Sequence, residues 1–217
     1  MMPGVAAQPL GGSSVFSPTV LADADFMNEI YSVDGGTVLA SDIIDKPARV
    51  GASGLEILNN DVDGVVSAIG DLLTKFLLVE WTVVIEYEEV ADAATTHLLW
   101  MQETVDFHSV SIRRLSAFAS NVMRGNDSST ISRNVTNTGP FTAGVHKVAM
   151  TRTEGVLSIS TDGGTVDTNT TLNTTLNPLT TASFGGDPTD QSYNGCFIRK
   201  VTLYAPLDDI WLPSLSA

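Results

Sequence analysis

Strict alternation of apolar and polar residues most constrains this chain, because successive side chains of an extended backbone leave on opposite faces and only a half-buried strand uses both. The pattern is clearest between Gly144 and Gly164. Gly-Val-His-Lys-Val-Ala-Met-Thr-Arg leads into Thr153-Glu154-Gly155, then Val-Leu-Ser-Ile-Ser-Thr, then Asp162-Gly163-Gly164. Val145, Lys147, Ala149 and Thr151 share one face of the first run, and His146, Val148, Met150 and Arg152 the other. Glu154-Gly155 supplies a residue that tolerates positive φ, so the stretch reads as a β-hairpin. The same alternation places Trp81, Val83, Ile85 and Tyr87 on one face of a strand and Thr82, Val84, Glu86 and Glu88 on the other.

Shorter runs continue this grammar at His97–Gln102, Ser109–Leu115, Ala117–Met123, Thr130–Val135, Ala182–Phe184 and Phe197–Tyr204. Turn residues separate them, among them Gly125-Asn126-Asp127, Asn137-Thr138-Gly139-Pro140 and Gly185-Gly186-Asp187-Pro188. Short strands at this spacing predict an all-β chain, a two-sheet antiparallel sandwich or jelly roll. The Thr- and Asn-rich stretch Asp167–Thr181 suits a polar strand or a long loop. Upstream, Ala22–Tyr31 has the spacing of a short helix, and Thr37–Ile44 and Gly54–Leu58 read as strands. Val65, Ile69, Leu72, Leu73 and Phe76 recur at helical spacing, with Asp61 or Asp63 placed to cap the first turn. Residues 1–20 hold Pro3, Pro9, Pro18, Gly4, Gly11 and Gly12 and few large apolar groups before Val15 and Phe16. Such a segment cannot offset its own ordering entropy, so it is expected as an extended arm on a partner, with the sandwich domain occupying 21–217.

At 217 residues the chain can bury roughly 70 per cent of its unfolded surface, enough for one substantial core. Its net charge of −14 opposes phosphate backbones and argues against nucleic-acid binding. Cys196 is the single cysteine, which excludes an intramolecular disulfide and a zinc site built on cysteines. Its setting after Gly195 at the head of an apolar run predicts a small buried hydrophobe. No secretory leader is visible at Met1–Gly12, and no apolar run reaches the about eighteen residues of a membrane span. A product made in a cytoplasm is expected, with no membrane partner.

Several residue groups invite a chemical reading. Asn59-Asn60-Asp61-Val62-Asp63-Gly64 has the opening spacing of a calcium loop, with Asn59, Asp61 and Asp63 as oxygen donors. Gly70 stands where that loop requires a bidentate glutamate, which removes the EF-hand reading and leaves calcium as a bare option. Glu86 and Glu88 share a strand face roughly 7 Å apart, within the separation of about 5 to 9 Å that glycoside cleavage uses, yet Val90 stands at the third position of the array. His97, His108 and His146 sit on separate runs without metal spacing, and no Gly-x-Ser-x-Gly elbow frames a serine. Trp100 ends the apolar run Leu98-Leu99-Trp100-Met101 and is expected in the core. Tyr193 and Trp211 lie in loop or tail contexts and are the better glycan platforms, and Trp211 could equally anchor a neighbouring chain.

Three stretches together resemble the concanavalin A-like lectin/glucanase superfamily. They are Glu80-Trp81-Thr82-Val83-Val84-Ile85-Glu86, the hairpin from Gly144 to Gly163, and the ending Asn194-Gly195-Cys196-Phe197-Ile198-Arg199-Lys200-Val201-Thr202-Leu203-Tyr204. The last, followed by Pro206-Leu207-Asp208-Asp209, looks like the closing strand of laminin G-like jelly rolls in tailed-bacteriophage virion proteins. The resemblance covers about residues 75–210 and implies a concanavalin A-like jelly roll. It also implies a non-enzymatic structural protein on the outer surface of a virion, decorating the capsid as a homo-oligomer. Attachment to other virion proteins would run through Val15, Phe16 and Trp211. The alternative is a carbohydrate-binding module on a tail tip that contacts host glycans, and the second alternative a glycan hydrolase.

Overall fold

The computed structural model describes residues 16–58, 64–78, 80–89, 96–102, 109–115, 120–126, 132–138, 143–153, 156–170, 179–186 and 195–217. Within them the chain forms β1 (Val20–Asp25), β2 (Ile30–Val33), β3 (Gly36–Thr37), α1 (Ala40–Ile43), β4 (Val50–Gly51), β5 (Gly54–Ile57), β6 (Val66–Ser67) and α2 (Gly70–Phe76). There follow β7 (Trp81–Glu89), β8 (Thr96–Gln102), β9 (Ser109–Leu115), β10 (Ser120–Asn126), β11 (Ser132–Thr138), β12 (Gly144–Thr153) and β13 (Val156–Thr161). The last elements are β14 (Asp167–Asn169), β15 (Thr181–Phe184), β16 (Cys196–Tyr204) and α3 (Leu212–Ser216).

Two antiparallel sheets make a jelly-roll β-sandwich. The larger has ten strands, ordered β14-β13-β12-β7-β16-β1-β2-β3, with β5 joined to the first part of β16 and β4 to β5. The smaller has six, ordered β11-β10-β9-β8-β15-β6. Between them lies one core, in which Trp81, Val83, Ile85 and Tyr87 of β7 and Val148 and Met150 of β12 meet Leu99, Met101, Ile112 and Phe184 of the small sheet. The predicted hairpin is thus β12 paired with β13, its His146 face inward and its Lys147 face outward, in the register Val148 opposite Thr161 through Thr153 opposite Val156. Cys196 sits in this core, 2% exposed. None of the helices in the described residues is long and apolar enough to cross a membrane.

β16 is divided by a register shift at Arg199. Its Cys196–Ile198 part pairs with β5, its Lys200–Tyr204 part with β1, and β7 runs along both. The Arg199 carbonyl, released from the ladder, accepts from the backbone amides of Phe26 and Met27 at 2.9 and 3.3 Å. Gly54 makes the β5 contact possible: its φ is +109°, and a Cβ there would stand 2.5 Å from the Ile198 carbonyl oxygen.

The first third of the chain departs from expectation. Ala22–Tyr31 is strand, turn and strand rather than helix. Ala22 and Ala24 enter the core while Asp23 and Asp25 point out, and β16 supplies the backbone partners that a ten-residue helix would have had to make alone. Asp25 then closes the turn, accepting from the Asn28 amide at 3.0 Å. The expected strand Thr37–Ile44 shrinks to Gly36–Thr37, followed by α1, where Asp42 reaches back to the Leu39 amide at 2.9 Å. The helix expected from Val65 starts only at Gly70. Val65, Val66 and Ala68 are buried in an extended segment whose Val66 and Ser67 pair with β15. Ile69 is the N-cap position of this helix, and Asp61 and Asp63, expected to cap it, lie outside the described residues.

Candidate functional site

The sandwich has two outward faces, one on each sheet. On the large sheet, α3 covers part of the outer face, with Leu212 on Val84 and Ala149 and with Val166, Tyr204 and Leu215 around it. A chain of hydroxyls seals this strap. Thr82 Oγ1 donates to Thr151 Oγ1 at 3.0 Å, Thr151 Oγ1 to the Leu207 carbonyl at 3.1 Å, and the Leu207 amide to Thr82 Oγ1 at 3.0 Å.

Beside the strap lies a groove of about 470 Å³, lined by Ser32, Glu86, Lys147, Lys200, Thr202 and Tyr204 among others. Register makes its floor a row of alternating sign: Asp25 opposite Lys200, Lys200 opposite Glu86, Glu86 opposite Lys147. Lys200 Nζ lies 3.0 Å from Asp23, Arg199 Nε 3.8 Å from Glu86, and Lys147 Nζ donates to the Ala217 carbonyl at 2.7 Å. Burial pulls the Lys200 ammonium down, but the hydrogen bond and charge of Asp23, helped by Asp25 and Tyr204, lift it above the ordinary lysine value. Burial and the charge of Asp23 raise the Tyr204 phenol. The groove therefore balances its own charge and offers a ligand little net field.

The small sheet is different. Leu99 and Met101 of β8, Val110 and Ile112 of β9, and Ala182 and Phe184 of β15 fill the core. Alternation then turns Trp100, Ser111, Arg113 and Ser183 to the outer face. A register shift at Leu98 brings His97 to the same side: it pairs with Arg113 while Leu99 pairs with Ile112. Its ring stacks on the Trp100 indole at 5.4 Å between centroids and 15° between planes. Trp100 and Arg113 are half-buried, whereas Ser111 and His97 are 1% and 3% exposed. Ser111 Oγ and Trp100 Nε1 make no hydrogen bond to the protein. A buried donor in that state costs about 1–3 kcal/mol, which a ligand acceptor at the site would offset. An indole face beside a guanidinium, a hydroxyl and an N–H is a surface on which a sugar ring can stack by its C–H face and hydrogen-bond at its rim.

The residues singled out in the sequence are dispersed. Trp211 stands in a 3-10 turn at Asp209–Trp211 and stacks on Phe16, 4.2 Å between centroids, so these two proposed attachment residues meet each other within the chain. Tyr193, Val15, Asn59, Asp61 and Asp63 lie outside the described residues. Among the described residues no group of three or more His, Cys, Asp or Glu could hold a metal ion. Glu86 and Glu88 are outward and half-buried, Glu86 next to Arg199. His146 is buried, with Nδ1 2.8 Å from Asp162. Trp100 corrects the expectation of a core tryptophan. Leu98 and Leu99 at the register shift both turn inward and disguise the alternation, which is recovered by counting back from Met101.

No family model and no curated protein matches the sequence. Solved structures do match in shape. Domain 4 of AbnA, a GH43 extracellular arabinanase of Geobacillus stearothermophilus solved with arabinotriose, superposes with a TM-score of 0.59 at 13% identity over 92% of this chain and 99% of that one. The CBM40 of Ruminococcus gnavus IT-sialidase, bound to α2,6-sialyllactose, gives 0.56 at 14% identity over 68% and 88%. The binding domain of botulinum neurotoxin DC with SialylT gives 0.53 at 14% identity over 74% and 42%. At these identities the likeness is one of fold.

Proposed function

We propose that this chain is a carbohydrate-binding module that takes its glycan on the outer face of the small sheet, at Trp100. The observation that carries the reading is that indole, outward-facing and stacked on His97, with neither its own N–H nor the Ser111 hydroxyl bonded to the protein. It is supported by the company the fold keeps, since its structural neighbours include a CBM40 bound to sialyllactose and an arabinanase domain in complex with arabinotriose. Binding, rather than cleavage, suits a face with no carboxylate on the strands that build it. A glycan array followed by calorimetry tests the reading. Trp100→Ala should weaken the strongest hit by about tenfold or more, the loss expected for about 1.4 kcal/mol of stacking. Tyr193→Ala and Trp211→Ala, the sequence's own candidates, belong in the same series. An array without hits, or Trp100→Ala binding as wild type, refutes it.

A position on the outside of a bacteriophage particle is a separate proposal about where such a binder sits, and the acidic charge of −14 suits an outer surface. Purified particles whose electron density has no place for this chain would overturn it.

A further inference from the structure

The charge of this protein is divided between its sheets. The strands of the six-stranded sheet contain no Asp or Glu and hold four arginines, Arg113, Arg114, Arg124 and Arg133. All 25 acidic residues lie elsewhere in the chain. Register sets Arg124 directly opposite Ser111, and Arg113 opposite His97, so these two arginines share register positions with the Trp100 face, while Arg114 and Arg133 fall at the alternate positions. On the large sheet, by contrast, cations and acids alternate along the row Asp25, Lys200, Glu86, Lys147.

Building on the glycan reading above, we infer that the ligand is an acidic glycan, one whose sugar carries a carboxylate or a sulfate. The −14 field would repel such a molecule from most of the surface. Of the two sheets, only the small one carries basic residues on its strands with no acidic ones. A guanidinium meets a carboxylate or sulfate with two parallel N–H donors, and its planar cation loses less hydration than an ammonium. Trp100 supplies the apolar face on which the ring lies, while Ser111 Oγ, almost wholly buried, is the hydrogen-bond donor at the floor. The chemistry thus divides into a ring platform and an anion clamp side by side on β8 and β9.

The test uses the whole chain on an array of matched oligosaccharides that differ only by a carboxylate or a sulfate, with affinities measured at low and high salt. Acidic members should bind at least ten times more tightly than their neutral partners at low ionic strength, and the advantage should shrink as salt screens it. Preference for the carboxylate or for the sulfate then identifies the group. Arg113→Gln should bring the ratio of acidic to neutral affinity toward one, and Arg113→Lys should restore part of that ratio. The salt dependence of the unmodified chain needs no variant and so stands even if Arg113→Gln fails to fold. Equal affinity for neutral and acidic partners overturns the inference and leaves the glycan reading standing, whereas no glycan binding at all overturns both. Competition by single-stranded DNA as strong as by the acidic sugar also overturns it, because the face would then answer to charge alone.

Discussion

Trp81 and Trp100 show how one residue type serves two ends. Trp81 is wholly buried at the start of β7, and its indole N–H has no protein partner. Its value is volume, so Trp81→Ala should cost about 3–5 kcal/mol and lower the melting temperature by roughly 6–20 °C. Trp81→Phe, which removes an unsatisfied donor and keeps most of the packing, should cost much less. Equal losses for the two variants in a thermal melt would contradict this account. Trp100 is only half-buried, and Trp100→Ala should leave the melt nearly unchanged while binding falls. Cys196 is a third case. Burial, then the charge of Glu89, pushes its thiol up to about 12, so the native protein should resist alkylation near pH 8 and react fully in urea. Rapid labelling of the folded chain would show that the thiol is exposed.

Strands were legible where the two faces differ in chemistry. β7, β12, β13 and β16 each send apolar residues inward at alternate positions, Val148 and Met150 of β12 lying between the buried His146 and Arg152, and the sequence places all four within a residue or two of their ends. β1 was not legible, because its inward residues are two alanines and its acids share their spacing with a helix. The outward role of Trp100 was hidden by the irregularity at Leu98. Long-range pairing decided these cases, and no local window contains it. Two contacts between elements can be tested directly. Gly54→Ala forces a Cβ against the Ile198 carbonyl at a left-handed φ, and should destabilise by more than about 1 kcal/mol through the loss of β5 from β16. Leu212→Ala empties the contact of α3 with Val84 and Ala149 and should cost about 2–5 kcal/mol. Urea midpoints measure both, and a wild-type midpoint for Leu212→Ala would mean that the strap does not hold the outer face.

The whole molecule carries a stability that depends on alkaline titration. Tyr31 is raised by burial, then by Glu29 and Asp25; Tyr204 by burial and Asp23; Lys200 by Asp23 against its own burial; and Cys196 most of all. In each case the folded chain keeps a proton that the unfolded chain releases. The stability from these groups is therefore intact below their unfolded values and fades as pH climbs, beginning near the ordinary cysteine value of 9.0 and continuing through the tyrosines and Lys200. Urea midpoints should be level from about pH 7 to 8.5 and fall above about pH 9, and Cys196→Ala should flatten the first part of that fall. A level profile up to about pH 11 would contradict the buried thiol and phenols.

That same body divides its charge, setting a basic sheet against an acidic remainder, and the claim at the centre of this account is that glycan meets the protein there. The chain has three tryptophans, one in the core, one on the small sheet and one stacked on Phe16, so an ¹⁵N spectrum of the indole N–H groups reports each place separately. During titration with the strongest array hit, the Trp100 resonance should move and saturate while those of Trp81 and Trp211 stay in place. Movement of Trp211 with Trp100 unmoved would contradict it.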